Sequence, residues 1–451
     1  MPKKIIINKF GGGILKKELI PTIAKRLREQ IDGGFSPIVV VSAMPGITDS
    51  LVSFLLSISD KSLPEKEASL LVVDYIKGLK ELHYNILHEA GFDEAWQQKI
   101  TTELNILFTQ LEENLLVIIA TDTEKLEDKI ISYGEKLSAT IITFYFELLG
   151  VKSKRVLAEE IPIITDDNYS NANIDYKTSE KNINQKISQI KEIPVIAGFT
   201  GVTKDGFTTT LGRGGTDTTA CFVGAALQAD KIVLWKDVGG VLSADPRIIK
   251  EAETIPFINY LEAEESGKII HEKAIQYVKL YKTPIEISSI SNPKLKTQIG
   301  DTKKLQKGAK IVSLKKDLSF ILITDEKVKV NNLLLIVSET FLKHKVDIIL
   351  ISNTRYSLQI VADNSNGQLH KVYEEIKDNV SEIEITKASM VFLVGWFDAK
   401  DVSDFNNLLV KQKADLLISA FYYENCYRME AVIKTEDINK VIKALYKKFI
   451  K

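Results

Sequence analysis

The sequence predicts an α/β protein, with a mainly parallel sheet covered by helices and then two small βαββαβ modules. A buried strand, a glycine loop, a helix and a second strand follow one another near the amino terminus, which is typical of a parallel sheet. Similar strands recur until about residue 290. Beyond residue 316 the elements become shorter, and the order strand, helix, strand, strand, helix occurs twice.

The first elements place two loops at the same edge of the predicted sheet. Lys4–Asn8 is an apolar strand that leads directly into Lys9–Gly13. A helix with one apolar face follows and ends at Gly33, and the second strand is Pro37–Ser42. Ligands of such sheets bind beyond the carboxyl ends of the strands, so the residues after both strands are candidate site residues.

The rest of the first unit alternates between helices and short strands. Residues 48–150 are predominantly helical, and Tyr133–Leu137 opens the last of these helices. The later predicted strands are Val156–Leu157, Pro194–Gly198, a hairpin over Thr200–Leu211, Lys231–Trp235 and Pro284–Ile287, and the later predicted helices follow Thr216, Tyr260 and His271.

Thr208–Ala220 (TTTLGRGGTDTTA) has the composition of an anion-binding loop. Its glycines let backbone N–H groups approach a ligand, and Arg213 can bind a carboxylate or phosphate with two parallel hydrogen bonds. Thr216 is predicted to cap the following helix, whose positive end would face the same pocket beside Asp217. Taken alone, such a loop is more often a plain turn.

Lys294–Lys316 contains eight lysines and one acidic residue and is predicted to be a solvated connector. The two modules that follow are predicted to be ferredoxin-like. Their predicted elements are strand Leu318–Ile323, helix Asn331–His344, strands Asp347–Ser352 and Ser357–Val361, helix Leu369–Ile376, strand Val391–Gly395, helix Val402–Lys411, strands Asp415–Phe421 and Arg428–Ile433, and helix Ile438–Phe449.

Composition excludes several function classes. A net charge of -1 gives no electrostatic reason to expect nucleic acid or an anionic membrane as partner. The longest apolar run, Leu115–Ala120, is far shorter than the roughly 20 residues of a membrane span. Cys221 and Cys426 suit a reducing cytoplasm, and the five histidines lack metal-ligand spacing. We therefore expect a soluble, cytoplasmic protein without a structural zinc site.

Two large kinase classes are excluded by motif. The chain has no G-x-x-x-x-G-K-[ST] loop and no H-R-D or D-F-G set. It has instead KFGG, VVVSAM, a Gly-Glu pair, TTLGRGGTD, Lys-Asp-Val followed by DPR, and EAEESGKIIH. In this order and spacing, these motifs resemble those of the aspartate kinases of the amino-acid kinase family.

The resemblance covers almost the whole chain. It implies an amino-acid kinase catalytic domain over residues 1–290, a Lys-rich linker over 291–316 and tandem ACT regulatory and dimerisation domains over 317–451. The implied reaction transfers the γ-phosphoryl group of ATP, with Mg²⁺ carried by ATP, to the β-carboxylate of L-aspartate. This is the first step towards lysine, threonine and methionine. The implied assembly is a homo-oligomer formed through the ACT domains.

The resemblance also implies residue roles. Lys9, with the amides of Gly11 and Gly12, would neutralise the transferred phosphoryl group, and Arg213 would clamp the α-carboxylate of aspartate. Glu135 would hold the α-ammonium group. The residues implied to shape and polarise the substrate pocket are Ser42, Thr48 and Asp217, with Lys9, Arg213 and Asp217 as the catalytic set. The residues implied on the nucleotide side are Phe10, Lys236, Asp237, Leu242, Arg247 and Lys268.

The sequence departs from the family pattern at four places. Gly13-Ile14 replaces a usual Thr-Ser pair, Lys236 a threonine, Leu242 a frequent tyrosine, and Glu272 the proline that usually follows His271. The expected ligand-binding loop of the first ACT module, Asp325–Asn331, has no glycine. Two alternatives therefore remain, namely a related small-carboxylate kinase and a kinase-fold amino-acid sensor that has lost catalysis.

Overall fold

The computed structural model describes residues 4–59, 63–88, 92–121, 123–237, 239–267, 269–302, 306–325, 328–365, 367–421, 426–434 and 438–451. The chain forms two compact units. The first comprises Met1–Val241 and Thr254–Thr302, and the second comprises Leu242–Glu253 and Lys303–Lys451. The first is an α/β unit and the second has an antiparallel sheet covered by helices, so the predicted fold class is confirmed.

The first unit contains the following elements. Its strands are β1 Lys4–Phe10, β2 Phe35–Val41, β3 Ser153–Val156, β4 Ile164–Thr165, β5 Ile193–Ala197, β6 Thr200–Thr203, β7 Thr208–Thr210, β8 Lys231–Lys236, β9 Phe257–Asn259, β10 Ile285–Ser289 and β11 Lys296–Gly300. Its helices are α1 Ile20–Asp32, α2 Ile47–Ile58, α3 Glu65–His88, α4 Glu94–Thr121, α5 Glu124–Ile131, α6 Tyr133–Leu148, α7 Tyr176–Ile187, α8 Gly215–Ala226, α9 Tyr260–Ser266 and α10 Glu272–Tyr281.

An eight-stranded sheet in the order β3-β5-β2-β1-β8-β10-β11-β9 organises this unit. All its pairings are parallel except that of β10 with β11. The central strands are continuous apolar runs, as expected for a sheet buried on both faces. A small second sheet, β4-β6-β7, contains the predicted hairpin as β6 and β7.

One described helix, α4, has the length and apolar composition of a membrane span. These properties are weak evidence, because buried helices of water-soluble proteins share them. In this chain the buried residues of α4 belong to the core of the first unit, and they include Ile100, Leu104 and Phe108.

The second unit contains the shorter elements. Its strands are β12 Gly308–Thr324, β13 Ile348–Asn353, β14 Ser357–Asp363, β15 Glu382–Phe397, β16 Leu416–Phe421 and β17 Cys426–Lys434. Its helices are α11 Val330–Lys343, α12 Leu369–Ile376, α13 Ala399–Lys411 and α14 Ile438–Phe449.

The two modules are interlaced and share their long strands. The sheet order is β13-β14-β12-β15-β17-β16. Residues 318–324 of β12 pair with β14 in the first module, whereas residues 308–315 pair with the second half of β15 in the second module. The irregularity between Lys315 and Leu318 separates these two halves. The second βαββαβ module therefore takes its fourth strand from the part of the chain that precedes the first module.

The prediction of a solvated connector over Lys294–Lys316 is wrong. Lys296–Gly300 is strand β11, and β12 begins at Gly308. In β11 the side chains of Thr297 and Ile299 are buried, while Lys296 points outwards and pairs with Glu286 at 3.2 Å. The segment resembles a solvated connector in sequence because its lysines, such as Lys296, occupy exposed positions of the strand.

The segment Leu242–Glu253 belongs to the second unit although its flanking residues belong to the first. Ala244 and Ile249 are part of the core that contains α14. The Tyr446 hydroxyl on α14 donates a hydrogen bond to the carbonyl oxygen of Glu251 at 3.0 Å. A segment adjacent in sequence to β8 is thus packed with the second unit.

We expect alanine substitutions at the two helical glycines Gly224 and Gly78 to change the free energy of unfolding in opposite directions. A Cβ atom at Gly224 would lie 2.5 Å from two side-chain carbons of Ile232, so Gly224→Ala should destabilise the protein by about 1–3 kcal/mol. A Cβ atom at Gly78 meets no other atom within 4 Å, so Gly78→Ala should stabilise by about 0.5–1 kcal/mol. Urea unfolding followed by circular dichroism measures both, and equal effects would contradict this packing.

Candidate active site

Three loops meet at the carboxyl edge of the main sheet. The register pairs Phe10 with Val41 of β2 and with Trp235 of β8, so these three strands end at the same level. Lys9 is the penultimate residue of β1, Ser42 lies directly after β2, and Lys236 is the last residue of β8. The residues that follow these strands are therefore close together although they are far apart in sequence.

A cleft of about 840 Å³ lies at this edge. It brings together seven of the residues predicted from the sequence, namely Lys9, Gly12, Ser42, Thr48, Glu135, Arg213 and Asp217. Gly13, Thr216 and the three glycines of the Gly-Arg-Gly-Gly loop, Gly212, Gly214 and Gly215, line it as well. The two glycine loops therefore face one cleft.

An ion pair lies within this cleft. The Nζ atom of Lys9 is 2.7 Å from Oδ1 of Asp217, and both side chains are largely buried. Asp217 lies in the first turn of α8, where the positive end of the helix stabilises a carboxylate. The pair connects β1 to the helix that follows the Gly-Arg-Gly-Gly loop.

The Gly-Arg-Gly-Gly loop ends in a glycine cap. Gly212 and Gly214 have φ angles of 73° and 72°, a region that favours glycine. Gly214 is the N-cap of α8, so the prediction that Thr216 caps this helix is wrong. Arg213 between them is exposed, and no described residue forms an ion pair with it.

The loop after β2 is fixed from three directions. The Ser42 hydroxyl donates a hydrogen bond to Oγ1 of Thr216 at 2.8 Å. The Ala43 amide donates to Oε1 of Glu135 at 3.1 Å. A Cβ atom at Gly12 would lie 2.8 Å from the Ala43 carbonyl oxygen, so the first loop can approach this closely only with glycine at that position.

Glu135 is a buried carboxyl group with one free oxygen. Burial raises its pKa from an ordinary 4.5 to about 8, and the hydrogen bond from Ala43 and the charge of Lys9 oppose the rise. Its Oε2 atom is buried without a hydrogen-bond partner among the described residues. Such a group is suited to accept a hydrogen bond from a cationic ligand that enters the cleft.

Phe10 and Ile14 belong to the core. Phe10 is fully buried and stacks on Trp235, so its predicted contact with a nucleotide disagrees with the structure. Ile14 is also buried in the core, whereas Gly13 is exposed in the cleft. Gly11 precedes the short 3-10 helix Gly12–Ile14, and the Lys9 ammonium lies beside it. Ile14 thus replaces a usual hydroxyl by apolar packing.

The residues predicted on the nucleotide side are less closely assembled. The Lys236 ammonium donates a hydrogen bond to the Ile269 carbonyl oxygen at 3.2 Å. Burial lowers its pKa, and the charge of Asp217 opposes this. Asp237 is exposed after β8, and neither Lys236 nor Asp237 lines the described cleft.

Two of the predicted nucleotide residues belong to the second unit, and another lies outside the described residues. Leu242 is half-buried in the segment that packs with the second unit. The exposed Arg247 guanidinium pairs with both carboxylate oxygens of Asp245, at 3.0 Å from Nε and 2.6 Å from Nη2. Lys268 lies outside the described residues.

The departure at Glu272 has a local explanation. His271 is the N-cap of α10 and Glu272 is its first residue, a position that also favours proline. The Cβ atom of His271 lies 2.8 Å from the position of a Cβ atom at Gly214. The replacement thus lies at a helix start that packs against the Gly-Arg-Gly-Gly loop.

Sequence reasoning missed Asp128. This residue is fully buried on α5, and its carboxylate accepts hydrogen bonds from Thr210 and Ser170, which both line the cleft. Burial raises its pKa, and these hydrogen bonds oppose the rise. Asp128 lies among charged residues of α5, so the local sequence does not indicate that it is buried. The one signal of a link to the site is that Glu135 follows seven residues later.

The cleft therefore combines opposite charges in a defined order. Arg213, the α8 amino terminus and Lys9 provide sites for anionic groups, and Glu135 provides a site for a cationic group. A ligand with a carboxylate, an ammonium group and a further acidic group fits this pattern. Among the described residues, no group of three or more His, Cys, Asp or Glu side chains could hold a metal ion.

The family model "Amino acid kinase family" matches residues 4–289. The chain belongs to the amino acid kinase family. It is 26% identical to an aspartokinase of Rickettsia felis, covering 99% of each chain, and 28% identical to the chloroplastic aspartokinase 1 of Arabidopsis thaliana, covering 86% of this chain and 68% of that protein.

Solved structures support the fold. E. coli aspartokinase III, in a complex with lysine and aspartate and in one with aspartate and ADP, matches with a TM-score of 0.81 in both cases. The identities are 20% and 19%, and each match covers 99% of this chain and 100% of the other. The resemblance to aspartate kinases predicted from the motifs is confirmed.

Glu135 should make stability depend on pH. Its pKa is higher in the folded state than in the unfolded chain, so the folded protein binds this proton more tightly. The free energy of unfolding is therefore expected to fall as pH rises from about 4.5 towards about 8. Glu135→Gln should remove a slope on the order of 1 kcal/mol per pH unit. Melting midpoints measured between pH 5 and 8 test this. The exposed Glu81→Gln serves as control, and parallel curves for wild type and Glu135→Gln would contradict it.

Proposed function

We propose that this chain is an aspartate kinase, which transfers the γ-phosphoryl group of ATP to the β-carboxylate of L-aspartate. The products are ADP and 4-phospho-L-aspartate, the first intermediate towards lysine, threonine and methionine. The observation that carries this proposal is a single cleft that is lined by Arg213, Glu135 and the Lys9–Asp217 pair. Relatives over the whole chain that are aspartokinases support it.

Aspartate is held by its two α-substituents. Arg213 binds the α-carboxylate with two parallel hydrogen bonds, which its exposed guanidinium is free to form. Glu135 binds the α-ammonium group through its unpartnered Oε2, and the positive charge of the ligand favours the ionised carboxylate. Ser42 and Thr48 complete this side of the pocket. The β-carboxylate is then directed towards the phosphoryl side.

The phosphoryl side works by electrostatics. The transition state of phosphoryl transfer is loose, with charge on its equatorial oxygens, so a placed cation stabilises it. Lys9 supplies that cation, and Asp217 fixes its ammonium group at 2.7 Å. The amides of Gly11 and Gly12 add hydrogen bonds. The nucleophile is a carboxylate with a pKa of about 3.9 when free, so it is ionised at neutral pH and needs no general base.

ATP binds on the β8 side of the site. Lys236, the last residue of β8, and Asp237, which follows it, are proposed to bind the nucleotide, together with Leu242, Arg247 and Lys268. When bound, Mg²⁺ supplies charge neutralisation of the nucleotide phosphates, which are its main ligands.

The second unit is proposed to associate with a second copy in the cytoplasm. β13 is an edge strand of its sheet, and Ile351 on it is 40% exposed. An exposed apolar edge strand is suited to pair with another chain. Feedback by lysine or threonine is not part of the proposal, because Asp325–Asn331 lacks the glycine usual in an effector loop.

Substrate comparison tests the proposal against its alternatives. The full chain is assayed for ADP release with MgATP and aspartate, glutamate or N-acetylglutamate. We expect turnover with aspartate and at least tenfold lower kcat/KM with the others, because Arg213 and Glu135 bind a free α-amino acid and the phosphoryl side fixes its length. Preference for another carboxylate would favour a related kinase. Aspartate binding without any turnover would favour a sensor.

Lys9→Ala should lower kcat by about 100-fold or more while the KM for aspartate changes little, because the lysine acts mainly on the transition state. Lys16→Ala is the matched control, since Lys16 follows the same glycine loop but is exposed and lies outside the cleft. Steady-state kinetics measure both. Equal rates for the two variants would exclude the proposed role of Lys9.

A further inference from the structure

Asp128 is a buried carboxylate with an unusual set of donors. It lies on α5 with no exposed surface, and its Oδ2 atom accepts from the Thr210 amide at 2.6 Å. The Thr210 hydroxyl donates to Oδ1 at 2.9 Å. The Ser170 amide is 3.0 and 2.9 Å from the two oxygens, and the Ser170 hydroxyl adds a longer contact at 3.4 Å. Such donor groups bind an ionised carboxylate most strongly.

These donors lie next to the Arg213 loop. Thr210 is the last residue of β7, three residues before Arg213. Ser170 has a φ angle of 64°, and the next residue, Asn171, contacts Gly212: a Cβ atom at Gly212 would lie 2.6 Å from its Oδ1. The backbone amide that follows, that of Ala172, donates to the Thr210 carbonyl oxygen at 2.9 Å. The carboxylate thus holds the loop at its entrance and along its side.

Lys273 extends this support. Its ammonium donates to the Asn171 carbonyl oxygen at 2.7 Å and to the Asn171 side-chain oxygen at 2.5 Å. It lies on α10, so the segment that Asp128 binds is also held by a second element. The Arg213 loop therefore rests on a segment with two anchors.

Asp128 is also close in the chain to Glu135, which lines the same cleft. Only Ser132 separates α5 from α6, whose third residue is Glu135. The Ser132 amide donates to the Asp128 carbonyl oxygen at 3.0 Å, and its hydroxyl donates to the Lys129 carbonyl oxygen at 2.6 Å. This hydrogen bonding limits movement between the two helices. One residue therefore links the helices that present Glu135 to the strand and loop that present Arg213.

We propose that Asp128 is a positioning residue that sets the separation between Glu135 and Arg213, and so fits the cleft to the ammonium and carboxylate of a free α-amino acid. This inference rests on the proposed function of the same cleft. Asp128 does not touch the substrate. Its carboxylate transmits position through Thr210 and Ser170, so its loss affects amino-acid binding more than nucleotide binding.

Asp128→Asn tests this inference in the full chain. The amide retains the shape of the side chain, but its NH₂ group faces the donors of Thr210 or Ser170 and cannot accept their hydrogen bonds. We expect the KM for aspartate to rise roughly tenfold or more, because a small displacement of binding groups has large effects on a bound substrate. The KM for ATP should stay within about twofold. Steady-state kinetics with each substrate varied in turn measure both.

Glu286→Gln is the matched control. Glu286 is also a buried acid of the first unit, paired with Lys231 and Lys296, but it lies outside the cleft. Its loss should lower the melting midpoint while the ratio of the two KM values is unchanged. An unchanged KM for aspartate in Asp128→Asn, or equal increases in both KM values, would overturn the inference.

A second variant covers the case in which Asp128→Asn does not fold. Thr210→Val removes the hydroxyl donor and leaves the backbone amide. It should also raise the KM for aspartate while the KM for ATP stays unchanged. No change in the ratio of the two KM values would count against the inference. Wild type is measured in the same assay. Absence of turnover in wild type would contradict the proposed function itself. If wild type is active, the ratio of the KM values for aspartate and ATP in the variants tests only the role of Asp128.

Discussion

The parallel register of β1 with β2 and β8 is the constraint on which the site depends. It brings the residues after three strands to one edge of the sheet, so that Lys9 can reach Asp217 at 2.7 Å. The close approach of Gly12 to Ala43 follows from the same register. A shift of one residue in β1 would turn Lys9 towards the opposite face of the sheet. The geometry of the proposed site therefore depends directly on the pairing of these strands.

Two buried carboxyl groups in the first unit have opposite surroundings, and the difference explains their proposed roles. Asp128 receives several hydrogen bonds from Thr210 and Ser170, which fix the protein around it. Glu135 has one oxygen bonded to the Ala43 amide and the other without a described partner. A fully bonded buried group stabilises structure, whereas a partly bonded one gains free energy when a complementary ligand arrives. Glu135 lines the cleft, and Asp128, seven residues earlier, lies behind the cleft residues Thr210 and Ser170.

The second unit shows how tandem modules become interdependent. Residues 308–315 of β12 complete the second module and residues 318–324 belong to the first, so one strand contributes to both modules. Leu242–Glu253 packs with the same unit through Tyr446 and is covalently continuous with the segment after β8.

The sequence by itself predicted the fold class and the glycine loops, because apolar period and loop composition are local properties. Its resemblance to the aspartate kinases predicted that Lys9, Glu135, Arg213 and Asp217 share one site. Tertiary structure decided what depends on distant partners. Residues 308–315 became a strand because β15 was available to pair with them, and Arg247 bound Asp245 in a segment that packs with the second unit. Asp128 is inconspicuous in sequence because its donors are 42 and 82 residues away. Burial and long-range hydrogen bonding, which no local pattern records, gave it its place.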